Sequence, residues 1–234
     1  MHNNKLPKLS SNADVSEFLS KVARTPRSMT SNKRGRLIFA MDATASREAS
    51  WDRASNLQAE MFQETASKGG LEIQLAYFRG FGEFRASPWA TEAEKLLGLM
   101  TAVSCRAGET QIKKVLLHAL NETKKQSVDA LIFIGDSIEE DIDSLGAIAG
   151  ELGLLGVPAF IFQEGDNQIA EFGFRQISKL TNGAYCRLDS SSAKVLRELL
   201  RAVANYAVGG RLMLENMAKE EGGAILQIAK QLSK

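Results

Sequence analysis

The sequence predicts an α/β fold, with a doubly wound, mostly parallel sheet, one short antiparallel edge strand and helices on both faces. From residue 36 onward, short apolar runs typical of strands alternate with amphipathic segments long enough for helices. One Gly-rich segment, at 79–82, is short enough for a hairpin and predicts the antiparallel strand. Helices between the remaining strands favour right-handed crossovers and a sheet that is covered on both faces.

The strand candidates are apolar runs rich in strand formers and bounded by polar residues. VDALIFIGD is the clearest of them, because a continuous apolar run is typical of a strand buried on both faces. The hairpin FRGFGEFRAS leads to the edge strand. In chain order, the others are RLIFAMD, LEIQLAYF, VPAFIFQ and AYCRL.

The helix candidates are segments with apolar residues at helical spacing. The first is expected near 48–67, with Trp51, Leu57, Met61 and Phe62 available for its inner face. The others are TEAEKLLGLMTAV, GETQIKKVLLHALNETKK, DIDSLGAIAGELG, NQIAEFGFRQISKLTNG and SAKVLRELLRAVANYAV, after which two glycines form a stop signal.

Charge divides the chain into three parts. Residues 1–36 carry eight basic and two acidic residues, residues 37–187 carry 14 basic and 21 acidic residues, and residues 188–234 carry seven basic and five acidic residues. The net charge of +1 therefore conceals a basic arm and an acidic domain. We expect a basic arm at 1–35 with one short helix candidate, a domain at 36–209 and an extension at 210–234. The composition excludes a polycation or a disordered low-complexity chain.

The numbers of cysteines and histidines and the lengths of the apolar runs exclude several classes of protein. Two cysteines cannot build a disulfide scaffold, so we expect reduced, buried thiols. Two histidines exclude a His-rich zinc site, and His118 is expected at a helix surface or core edge. The N-terminus lacks the apolar run of a signal peptide, and the longest apolar stretches fall short of the ~20 residues of a membrane helix. We therefore expect a cytoplasmic protein without a membrane partner.

Oxygen-bearing side chains lie in three loops, two of which directly follow predicted strands and one of which enters a predicted helix. Asp42, Thr44 and Ser46 come at alternate positions after the first strand, Thr110 lies in the loop before a helix, and Asp136 ends the buried LIFIG strand. Sites in such sheets lie beyond the carboxyl ends of the strands. Carboxylates and hydroxyls without nearby Cys or His favour Mg²⁺, Mn²⁺ or Ca²⁺ over zinc. The set is incomplete, so an ion there would attract an anionic ligand from a partner.

This pattern resembles the metal-ion-dependent adhesion site (MIDAS) of von Willebrand factor A (VWA) domains, which is written Asp-x-Ser-x-Ser, then Thr, then Asp. The resemblance covers roughly 36–208 and is closest to cytoplasmic bacterial-type members. It implies direct metal contacts by the hydroxyls of Thr44, Ser46 and Thr110. It also implies that Asp42 and Asp136 contact the ion directly or through water.

The motif departs from the family pattern at two positions. Thr44 stands where Ser is commoner, which keeps the hydroxyl. Gly-Asp-Ser stands where many members have Thr-Asp-Gly or Ser-Asp-Gly, so Ser137 adds a side chain beside the site.

Further side chains near this end of the sheet are candidate partner contacts. Arg79 and Phe81 lie at the hairpin tip, although packing beneath the hairpin is an equal alternative for Phe81. Ser137 and Glu139 follow the buried strand within an acidic run, which is also typical of a solvated helix N-terminus. Asp166 follows the VPAFIF strand.

These features favour a non-catalytic module that binds a protein partner's acidic residue through a divalent cation. No general base or activated nucleophile accompanies the oxygen ligands, and neither GxGxxG nor a P-loop indicates a small-molecule cofactor. The alternative is a Mg²⁺-dependent phosphotransfer or hydrolase enzyme that uses a strand-end Asp. Nucleic-acid contact by the basic arm is a third hypothesis, which no aromatic interleaving supports.

Overall fold

The computed structural model describes residues 16–17, 20–21, 34–48, 51, 70–188, 197–198 and 200–209. Its sheet contains six strands in the order β3-β2-β1-β4-β5-β6. All neighbouring pairs are parallel except β2 with β3. The strands are β1 (Gly35–Asp42), β2 (Leu71–Arg79), β3 (Glu83–Ala86), β4 (Ala130–Gly135), β5 (Ala159–Glu164) and β6 (Ala184–Leu188).

Among the described residues, four complete helices connect or follow the strands, and residues 200–209 are also helical. A short 3₁₀ turn at Ala45–Arg47 follows β1. The helices are α1 (Ala93–Thr101), α2 (Ile112–Lys125), α3 (Ile142–Leu154) and α4 (Gln168–Leu180). The predicted helices at 48–67 and in the N-terminal arm lie almost wholly outside the described residues, and the C-terminal extension lies entirely outside them.

Apolar layers cover both faces of the sheet. Every residue of β1 is buried, and its side chains alternate between the two layers. Leu37 and Phe39 pack in one layer with α1 and the helical residues 200–209. Ile38 packs in the other layer, which α2, α3 and α4 complete. This arrangement confirms the predicted doubly wound fold, and burial on both faces explains why the strands read as continuous apolar runs.

The register of the parallel strands brings their ends to one edge of the sheet, which we call the carboxyl edge. Asp42 pairs with Phe78 of β2, and Met41 pairs with Ile134 of β4. Asp42 is therefore level with the last residue of β4, directly before Asp136. The hairpin between β2 and β3 turns at this same edge.

Other sequence predictions concern thiols and membrane spans. Neither cysteine forms a disulfide; Cys186 is buried and Cys105 is half-buried. Within the described part of the chain, no helix has the length and apolar character needed to cross a bilayer.

Candidate metal centre

The loop that leaves β1 is held by its own polar groups. The Thr44 N–H donates to Asp42 Oδ1 at 2.7 Å, which curls the chain directly after the strand. The Ser46 hydroxyl donates to Asp136 Oδ2 at 2.7 Å. Because Ser46 has one hydroxyl proton, the 3.3 Å contact between Thr44 Oγ1 and Ser46 Oγ is a hydrogen bond donated by Thr44. These bonds bring together four of the five predicted ligands.

Asp42 has an unusual environment for a carboxylate. Its side chain is 0% exposed, and Oδ2 has no hydrogen-bond partner among the described residues. Burial raises the pKa of Asp42 to about 6, hydrogen bonding by Thr44 opposes the rise, and the nearby Asp136 carboxylate adds to it. A buried carboxylate oxygen without a partner is costly, unless a cation binds to it.

Thr110, the fifth predicted ligand, lies in the loop before α2 and contacts the segment that follows Asp136. Its N–H donates to Glu139 Oε2 at 2.8 Å, and its hydroxyl donates to Glu140 Oε2. The Glu139 N–H in turn donates to Thr110 Oγ1 at 2.9 Å. Helix α2 begins at Ile112, so Gly108, Glu109 and Thr110 form the loop that enters it, as expected from the sequence, and Thr110 is bonded to another segment.

Arg47 is a charged residue of this loop that sequence reasoning missed. Its side chain is 2% exposed, and Nη1 forms an ion pair with Glu164 Oε2 at 2.6 Å, at the end of β5. The positive charge of Arg47 also lowers the pKa of Asp42, against the effect of burial. The ion pair ties the loop after β1 to a strand two positions away in the sheet. An Arg beside polar residues gives no sequence signal of burial.

The hairpin between β2 and β3 is firmly held and presents Phe81 to solvent. Arg79 forms two 3.1 Å bonds with the Glu83 carboxylate and donates to the Ser104 carbonyl at 2.6 Å. Lys114 Nζ donates to the Gly82 carbonyl at 2.7 Å. Phe81 is 81% exposed, so it does not pack beneath the hairpin.

The remaining partner candidates lie along the same edge. Asp166 is exposed, whereas Ser137 is half-buried and its hydroxyl accepts a 3.4 Å hydrogen bond from Asn167. Glu139 is exposed, although its carboxylate is engaged by Thr110. His118 is on α2 at the core edge, as predicted, with Nε2 2.7 Å from Gln74 Oε1.

The donor set suits a hard divalent cation. Oxygen is the only donor type among the five predicted ligands, which matches the preferences of Mg²⁺, Mn²⁺ and Ca²⁺. The described residues contain no group of three or more His, Cys, Asp or Glu side chains that could hold a metal. Two carboxylates alone do not meet that condition, so an ion here depends on the hydroxyls. The orphaned Oδ2 of Asp42 is the observation that favours a fit.

Solved structures share this architecture. An aerotolerance-related membrane protein from Bacteroides fragilis is 18% identical with a TM-score of 0.55, and the match covers 70% of this chain and 98% of that one. The SpRpn10 VWA domain is 14% identical with a TM-score of 0.56, covering 74% and 94% of the two chains. Proximal thread matrix protein 1 from the mussel byssus, with a zinc-occupied MIDAS motif, is 13% identical with a TM-score of 0.54, covering 74% and 46%.

These likenesses establish the class of fold. The chain has a VWA-like α/β fold, and Asp42, Thr44, Ser46 and Asp136 lie at its carboxyl edge. No protein-family profile and no curated protein matches the sequence. At identities below 20%, the shared fold carries no activity or partner from one chain to another.

Proposed function

We propose that this chain is a metal-dependent protein-binding module that captures a carboxylate of a partner through a divalent cation. The observation that carries the proposal is Asp42 Oδ2, a buried carboxylate oxygen with no partner among the described residues. The other oxygen of Asp42 is bonded by the Thr44 N–H, and the Thr44 hydroxyl, the Ser46 hydroxyl and the Asp136 carboxylate form a chain of hydrogen bonds. A fold that buries an unpartnered charge at the end of a central strand loses stability, which a bound cation would restore.

In this proposal, Asp42, Thr44, Ser46, Thr110 and Asp136 hold the ion, with Mg²⁺ as the expected metal. The ion supplies positive charge to a partner carboxylate. Mg²⁺ is six-coordinate, so five protein oxygens leave one position for an external ligand, and more where an Asp binds through water. The protein residues shape the site, exclude bulk water from Asp42 and fix the loop that carries the hydroxyls.

The surface around the site would supply the remaining contacts. Phe81 projects from a hairpin whose flanks are held by hydrogen bonds, so little entropy would be lost when a partner packs on it. Asp166 and the exposed Glu139 make the neighbouring surface acidic. We propose that these residues, with Arg79 and Ser137, face the partner, and that the protein acts in the cytoplasm without catalysing a reaction.

Direct cation titration tests the metal site. We expect wild-type protein to bind Mn²⁺, followed by electron paramagnetic resonance, and Mg²⁺ to compete for the same site. Asp42→Ala and Ser46→Ala should weaken binding at least tenfold. Asp143→Ala is the matched control, since Asp143 is an exposed acid in the first turn of α3. Equal Mn²⁺ affinity in wild type and Asp42→Ala would contradict the proposed site.

Carboxylate capture is a separate step. A peptide containing one Asp should shift the Mn²⁺ spectrum of the loaded protein, and the corresponding Asn peptide should not. A partner retained from cell extract with Mg²⁺ should be lost both in EDTA and with Asp42→Ala. Retention of that partner under both conditions would show that binding does not pass through the ion.

A further inference from the structure

Glu140 contributes one oxygen to the first turn of α2 and the other to the loop before it. Oε1 accepts a 3.1 Å hydrogen bond from the Lys113 N–H. Oε2 accepts a hydrogen bond from the Thr110 hydroxyl. The Glu139 carboxylate accepts the Thr110 N–H at 2.8 Å. The segment after β4 thus holds the segment before α2 by side chains 27 to 30 residues away.

Helix capping accounts for only part of this arrangement. Gln111, the N-cap of α2, makes no capping bond with its side chain, so the first N–H groups of the helix need outside acceptors. Glu140 Oε1 supplies one for the Lys113 N–H, whereas Glu139 Oε2 accepts the N–H of Thr110, which precedes the N-cap. The bond between Glu140 Oε2 and the Thr110 hydroxyl satisfies no backbone group. It acts on a hydroxyl that is already predicted to be a metal ligand.

Counting the capacity of the Thr110 hydroxyl shows what this bond does. A hydroxyl has one proton and two lone pairs. The proton is donated in the hydrogen bond to Glu140, and the Glu139 N–H occupies one lone pair. One lone pair of Thr110 Oγ1 remains for a cation, because the proton is engaged in the hydrogen bond to Glu140. Donation to a carboxylate also makes the oxygen more electron-rich, as carboxylates near metal sites do for other ligands.

We infer that Glu140 is a positioning residue of the metal site. It accepts a hydrogen bond from the Thr110 hydroxyl, so that Thr110 Oγ1 presents a lone pair to the cation. The inference rests on the proposed function, because it requires Thr110 to bind the ion. It assigns a role to a residue outside the MIDAS motif. It also gives the acidic run after Asp136 a purpose beyond a favourable charge at the start of α3.

Two substitutions at Glu140 distinguish the effect of the carboxylate's position from the effect of its charge. Glu140→Gln removes the charge and leaves one carbonyl oxygen for two donors. Glu140→Asp keeps the charge but shortens the side chain, so that its oxygen no longer reaches Thr110. We expect both to weaken Mn²⁺ binding about tenfold or more, within the range typical of residues that orient metal ligands. Asp143→Asn removes one exposed acid from the same surface and should change the affinity less than threefold.

A double-mutant cycle with Thr110→Val tests whether Glu140 acts through the hydroxyl. Valine has no hydroxyl, so Glu140→Gln should have no further effect on Mn²⁺ affinity in the Thr110→Val background. In a Thr110→Ser background, which keeps the hydroxyl, the tenfold effect should return. Urea unfolding in EDTA measures the contribution of capping separately from metal binding.

The outcomes distinguish this inference from the proposed function. If Asp42→Ala and Thr110→Val leave Mn²⁺ binding unchanged, the metal site itself is wrong. If those variants weaken binding while Glu140→Gln matches Asp143→Asn, or Glu140→Asp binds as wild type does, the inference about Glu140 alone is overturned. An undiminished effect of Glu140→Gln in the Thr110→Val background also overturns it.

Discussion

Ionised Asp42 should destabilise the metal-free protein, and this effect gives a measurable pH dependence. Burial raises its pKa from 3.8 to about 6, despite hydrogen bonding by Thr44. The rise from 3.8 to about 6 corresponds to about 3 kcal/mol. The folded protein binds the proton more tightly than the unfolded chain does. Stability in EDTA therefore falls as the pH rises through 4 to 6, which is opposite to the usual behaviour of a paired carboxylate.

The perturbation is Asp42→Asn, which keeps Oδ1 for the Thr44 N–H and cannot ionise. Relative to this variant, the free energy of unfolding of wild type should fall by about 2 kcal/mol between pH 4.5 and 7.5, since the unfolded carboxyl is already mostly ionised at pH 4.5. Urea unfolding in EDTA, followed by tryptophan fluorescence, measures the difference. Asp143→Asn should run parallel to wild type, because Asp143 is exposed.

Addition of Mg²⁺ should reverse the trend. At pH 7.5 the ion should raise the free energy of unfolding of wild type, and the gain should be smaller at pH 5.5, because the ion must displace a proton from Asp42. Asp42→Asn should show little gain at either pH. Parallel pH profiles for wild type and Asp42→Asn in EDTA would refute the reasoning about the buried charge.

Two further substitutions test contacts around the site. Glu164→Gln should lower the free energy of unfolding, measured by urea titration, by about 3 kcal/mol. The substitution removes the carboxylate that lies 2.6 Å from the buried guanidinium of Arg47. Gly108→Ala should both destabilise the protein and weaken Mn²⁺ binding, since its Cβ would lie 2.1 Å from the Gly80 carbonyl oxygen and force the Thr110 loop to move.

Matched controls are available for both. Glu151→Gln changes an exposed glutamate of α3 and should leave stability nearly unchanged. Gly98→Ala introduces a Cβ on α1 with no atom within 4 Å, and alanine favours the helix by about 0.5–1 kcal/mol. If the free energy of unfolding of Glu164→Gln equals that of Glu151→Gln, the buried ion pair does not stabilise the protein as expected. Normal Mn²⁺ binding by Gly108→Ala would argue against the close approach.

The sequence was sufficient to predict the layered fold. Strands buried on both faces appear as unbroken apolar runs, and the structure places such a run at Ala130–Gly135 with every residue buried. The Gly-rich hairpin and the antiparallel edge strand at Glu83–Ala86 were predicted from the turn residues at 79–82. These signals are local, because they depend on residues within a few positions of one another.

The contacts that hold the start of α2 were not predictable in the same way. The Lys113 N–H is bonded by Glu140 and the Thr110 N–H by Glu139, 27 and 29 residues along the chain. Local propensity carries no information about such acceptors. The helix begins at Ile112, and Thr110 in the loop before it is one of the predicted ligands.

For the site, the sequence by itself determined which oxygen donors follow the strands, and the motif order indicated their common edge. Only the tertiary structure decided which oxygen is left without a partner and which charges accompany it. Ser46 meets Asp136 across 90 residues, and Arg47 meets Glu164 across 117. Burial and hydrogen bonding act between groups that folding brings together, whereas residue pattern reports only on neighbours along the chain.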